Sequence, residues 1–174
     1  MKINKENLGK WSIDLDLFNK ILELLPKNKT ILEFGSGTGT AELSKYYNMY
    51  SIEHDKEWLN KFDTNYIYAP LVECDKDNSI NWYDINRIKD GIKNIKYDLI
   101  LVDGPPGTAS KYENSRMGFY HNLDLFNIEN KIIIFDDLHR DKDYDNMTLV
   151  AEKTNRKFEI FNTSSIKKYG ILYP

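Results

Sequence analysis

From Ile13 onward, the apolar residues Ile13, Leu17, Phe18, Ile21, Leu24 and Leu25 recur at helical spacing until Pro26 stops the run, which predicts an amphipathic opening helix. Five apolar runs of strand length follow: Thr30 to Phe34, Met49 to Glu53, Tyr66 to Ala69, Tyr97 to Val102 and Lys131 to Phe135. Helices are expected between and after them, over Thr38 to Tyr47, Asp55 to Phe62, Ser79 to Ile92, Tyr112 to Phe126 and Asp145 to Asn155. The strands are near-continuously apolar, so both faces of the sheet should be covered, as in a parallel, doubly wound α/β layer. Phe158 to Phe161 and Tyr169 to Tyr173 flank a polar turn through Asn162 to Lys168 and read as an antiparallel hairpin. The expectation is a Rossmann-like, mostly parallel seven-stranded sheet closed by that hairpin, in one domain over residues 1–174, with 1–29 as an N-terminal helical region.

The first strand runs into Glu33-Phe34-Gly35-Ser36-Gly37-Thr38-Gly39. Glycines at such a turn let the backbone reverse sharply and leave room for a ligand. About twenty residues after the turn, the next strand ends at Glu53, where a carboxylate can accept both hydroxyls of a ribose. A dinucleotide fingerprint would place a small residue five positions after Gly35, where Thr40 stands; the third glycine, Gly39, comes one place early. The run instead resembles motif I of class I S-adenosylmethionine-dependent methyltransferases, whose sheets also end in an antiparallel hairpin. That resemblance implies a cofactor site of Glu33, Gly35, Ser36, Gly37, Gly39, Glu53, His54, Leu71 and Asp103, with Glu33 near the methionine end and Leu71 against adenine. A carboxylate beside the turn also suits a cationic donor better than a pyrophosphate.

Ligands of open α/β sheets bind beyond the carboxyl ends of the strands. There the fourth strand ends at Asp103, followed by Gly104-Pro105-Pro106-Gly107, and the fifth ends at Asp136-Asp137. Three carboxylates in one crevice repel one another unless a cation or proton joins them, and Mg²⁺ or another hard divalent ion prefers oxygen ligands. Asp103 with Asp136 and Asp137 resembles the metal site of catechol-type and macrolide-sugar O-methyltransferases; the alternative is that Asp136 or Asp137 caps the following turn. His139 is the candidate general base beside Asp103, or else a surface histidine. Arg116 and Arg140 are candidate clamps for an anionic substrate, or else solvated charges.

From Ile31 to Arg140, including Tyr66-Ile67-Tyr68-Ala69-Pro70-Leu71 and Trp82-Tyr83-Asp84, the chain is similar to small bacterial methyltransferases of glycan and secondary-metabolite pathways. The resemblance implies O-methylation of a small polar acceptor such as a sugar, a nucleotide-sugar or a phosphorylated metabolite. Trp82 and Tyr83 can equally be core residues. The stretch through Trp11 and Ser12 is a candidate lid.

A formal charge of -3 gives no general attraction to nucleic acid or to an anionic membrane. A nucleic-acid base methyltransferase is the first alternative. It would hold a flipped base with an acid or amide, two prolines and an aromatic, but Gly104 separates Asp103 from Pro105 and Gly107 follows Pro106. An NAD-binding oxidoreductase is the second alternative, weakened by the third glycine; a non-catalytic binding module would not need acids at both strand ends. The single cysteine, Cys74, and the lack of an apolar N-terminal stretch make the cytoplasm the expected location. Small-molecule partners are expected, and a homodimer stays open.

Overall fold

The computed structural model describes residues 8, 12–107 and 114–174. The opening helix α1 (Leu15–Leu24) buries Leu17, Phe18 and Ile21, the stripe its periodicity marked out. The strands are β1 (Thr30–Phe34), β2 (Asn48–Glu53), β3 (Asn65–Tyr68), β4 (Leu71–Cys74), β5 (Asp77–Tyr83), β6 (Leu99–Val102), β7 (Ile132–Phe135), β8 (Phe158–Asn162) and β9 (Lys168–Leu172). Seven form one sheet in the order β3-β2-β1-β6-β7-β9-β8, parallel except where β9 joins β7 and β8. The other helices are α2 (Thr38–Leu43), α3 (Ile85–Ile92), α4 (Gly118–His121) and α5 (Asp141–Thr154).

Successive residues of a strand face opposite sides, so each apolar strand feeds two cores. Ile31, Leu99, Leu101 and Ile134 pack with Leu17, Phe18 and Ile21 of α1 and Leu43 of α2. Leu32, Phe34, Ile100, Val102, Ile133 and Phe135 pack on the other face with Ile88 of α3, Phe119 of α4, and Met147 and Val150 of α5.

Several element expectations need correction. Residues expected as a helix from Ser79 instead begin with β5, which pairs antiparallel with β4 in a separate two-stranded sheet; α3 starts only after Asp84. The Asp84 carboxylate accepts the Asn86 and Arg87 N–H groups at 2.9 and 3.3 Å, capping α3 there. Between Asp55 and Phe62, a single 3-10 turn forms over Lys56–Trp58, with Asp55 accepting the Glu57 N–H. The helix expected from Tyr112 to Phe126 is broken into short turns around α4, and its first two residues lie outside the described ones. α2 stops at Leu43, short of Tyr47, while α5 begins four residues earlier than expected, with Asp141 and Asp143 in its first turn.

Candidate functional site

The sheet order reverses between β1 and β6, and a crevice opens beyond their carboxyl ends. Alternation places Glu33, Ser51, Glu53, Leu101, Asp103 and Asp136 on the face that also carries Ile31, Leu99 and Ile134. A cavity of about 430 Å³ lies there, lined from Ser12 and Ile13 through the glycine turn and Glu53 to Asp103, Asp137 and Lys167. That volume is in the range of small-ligand sites.

At the β1 end, Gly35 has φ +83°, which disfavours any side chain. A Cβ on Gly104 would come within 2.7 Å of the Phe34 carbonyl oxygen and 2.8 Å of the Gly35 nitrogen, so the two loops meet backbone to backbone. Gly39 leaves room for the N-terminal segment, since a Cβ there would lie 2.8 Å from Ser12 Oγ. Thr40 ties the turn to the acid: its Oγ1 accepts the Gly37 N–H at 2.9 Å and donates to Glu33 Oε1 at 2.7 Å. Ser51 also donates to Glu33. Burial, only partly offset by these two bonds, pushes the Glu33 pKa up to about 7.

Glu53 is equally buried but held differently. Burial would raise its pKa, yet the His54 side chain, the Asp55 N–H and Ser36 outweigh that and hold it below the ordinary range. Ser36 donates both its N–H (3.0 Å) and its hydroxyl (2.8 Å) to Oε2, while the His54 and Asp55 N–H groups donate to Oε1. His54 also lines the cavity.

At the other end, Asp103, Asp136 and Asp137 bring carboxylate oxygens within 4.8 Å of one another. Burial and the Asp136 charge push the Asp103 pKa well up; burial and Asp137 raise that of Asp136. Asp137 goes down despite its burial, because Arg116, Lys167 and Arg140 surround it. Arg116 is buried among acids, 3.3 Å from Asp103, 3.1 Å from Asp137 and 3.7 Å from Asp143, and its Nε donates to the Pro105 carbonyl at 3.0 Å. Arg140 pairs with Asp137 and reaches Asp143 at 3.5 Å. Lys167 Nζ lies 3.3 Å from Asp136 and 3.1 Å from Asp137.

Most residues expected at the site therefore line one cavity; Asp136 is buried behind its wall against Lys167, and two others lie away from it. Leu71 sits in β4 packed against the core and away from the cavity wall, because β4 turns off to pair with β5. His139 is exposed: Asp137 has φ 62°, Leu138 turns into the core, and the next side chain faces solvent. Trp82 and Tyr83 are fully buried around Phe34, with ring centroids 5.4 and 5.8 Å from it. Thr40, Ser51, Asp143 and Lys167 are site residues that the sequence pattern did not single out.

No family model and no curated protein matches the sequence. Solved structures do match. A Staphylococcus aureus chain assigned as a caffeoyl-CoA O-methyltransferase superposes with a TM-score of 0.60 at 14% identity, covering 93% of this chain and 85% of that one. The METTL16 methyltransferase domain gives 0.58 at 12% identity, over 91% and 80%. The E. cuniculi Mtq2–Trm112 complex, responsible for methylating the termination factor eRF1, gives 0.53 at 16%, over 95% and 96%. The fold is that of class I methyltransferases. Likeness at these identities is one of fold, and the acceptors of the three relatives do not carry over with it. Among the described residues, no helix is long and apolar enough to cross a membrane.

Proposed function

We propose that this chain is an S-adenosylmethionine-dependent methyltransferase, a single domain that O-methylates a small polar acceptor such as a sugar, a nucleotide-sugar or a phosphorylated metabolite. The observation that carries the reading is one cavity with two chemically different ends, a glycine turn between Glu33 and Glu53 and a cluster of acids beyond β6 and β7. When bound, the donor supplies an electrophilic methyl group on a sulfonium. Glu33 would face its cationic end and Glu53 its ribose, where the hydroxyls compete with Ser36 for Oε2. A buried carboxylate beside the turn disfavours a pyrophosphate, which argues against NAD. Asp103, with 29% of its side chain accessible, is the group placed to take a proton from an acceptor hydroxyl; exposed His139 is not.

A divalent cation does not fit the acid cluster as folded. Asp103, Asp136, Asp137 and Asp143 already face Arg116, Arg140 and Lys167, and the Lys167 ammonium sits between Asp136 and Asp137, against one oxygen of each.

Calorimetric titration with S-adenosylmethionine, S-adenosylhomocysteine and NAD tests the reading. Binding of the first two is expected; binding of NAD alone would overturn it. Labelled donor with fractionated cell extract then identifies the acceptor, and transfer into nucleic acid instead of a small molecule would replace the acceptor class.

A further inference from the structure

Three acids at one end of a cavity require a counter-charge, and the chain itself delivers one by topology. β9 runs antiparallel to β7 with Gly170 opposite Phe135, and the Leu138 N–H donates to the Lys168 carbonyl at 2.8 Å. The turn before β9 is thereby held over the end of β7. Lys167 Nζ donates to the Ser12 carbonyl oxygen at 3.1 Å and to Asp136 Oδ2 at 3.3 Å, and it forms an ion pair with Asp137 Oδ1 at 3.1 Å. Its side chain is 26% accessible against 0% and 4% for the two aspartates, which places the cation between buried acids and the open cavity.

We propose that Lys167 is the resident cation of this site, filling the place between Asp136 and Asp137 that a divalent ion would take. A consequence, which rests on the methyl-transfer reading, is that transfer in this cavity needs no divalent metal. Lys167 acts as a positioning residue. It counters Asp136 and shares Asp137 with Arg116 and Arg140, keeps the two acids in one arrangement beside Asp103 and bridges them to the N-terminal segment at Ser12. Unlike a bound ion, it cannot be stripped by a chelator.

The test adds Mn²⁺ to the full chain and follows the free-ion electron paramagnetic resonance signal for wild type, Lys167→Arg, Lys167→Met and Lys167→Gln. S-adenosylhomocysteine affinity is measured on the same samples. Wild type and Lys167→Arg are expected to leave the signal unchanged. Lys167→Met should bind Mn²⁺ at least about tenfold more tightly, and its thermal midpoint should rise on adding the ion, because the vacated acids then prefer a hard cation. Lys167→Gln, which keeps a hydrogen-bonding side chain without charge, serves should the Met variant not fold. Mn²⁺ binding by wild type that Asp136→Asn abolishes would overturn the proposal, and so would a folded, uncharged variant that binds none. Loss of S-adenosylhomocysteine binding in every protein, with the Mn²⁺ pattern as expected, would sink the methyl-transfer reading and leave the role of Lys167 standing.

Discussion

Glu33 stands in the middle of the sheet with two hydroxyls bonded to one of its oxygens and a pKa of about 7 in place of the ordinary 4.5. Between those two values the folded chain holds a proton that the unfolded chain has released, so stability falls as pH rises through this window. The full effect is about 3 kcal/mol. Urea unfolding between about pH 5 and about pH 7 should show this slope in wild type and a flatter one in Glu33→Gln; equal slopes would place the titration elsewhere. A cationic donor prefers the ionised carboxylate, so its affinity should rise about tenfold from roughly pH 6 to pH 8 and lose that rise in Glu33→Gln, as read by calorimetry. The acid itself was legible from its place before the glycines. Its state was not, because Thr40 and Ser51 reach it from α2 and from β2, and burial depends on what α1 and α2 cover.

At the scale of elements, the two-stranded β4–β5 sheet was the main surprise. Ile80, Tyr83, Ile88 and Ile92 suit a helix, while Ile80 and Trp82 alone suit a strand, and short windows satisfy both periods. Pairing with β4 decides the matter, together with Asp84, which starts α3 late. Trp82 then packs onto Gly118, where a Cβ would lie 2.3 Å from the indole Cδ2. Gly118→Ala should therefore destabilise the protein by roughly 1–3 kcal/mol, measured by urea unfolding. A neutral outcome would mean that α4 can move away from the hairpin.

For the whole molecule, ligand binding and folding should be linked. S-adenosylhomocysteine at about a hundredfold its Kd should add about 2.7 kcal/mol, raising the thermal midpoint of a 174-residue chain by roughly 5–10 °C, while NAD should leave it unchanged. Scanning fluorimetry reads both. The sequence alone determined the succession of the seven strands of the main sheet, the glycine turn, and the acids at three strand ends, because periodicity and strand-end position are local properties. Only the tertiary structure decided which charges meet. Lys167 reaches Asp136 across 31 positions because β9 lies antiparallel to β7, and Arg116 is buried among acids drawn from two strand ends and from α5. Strand order and register set those encounters, and no local pattern encodes them.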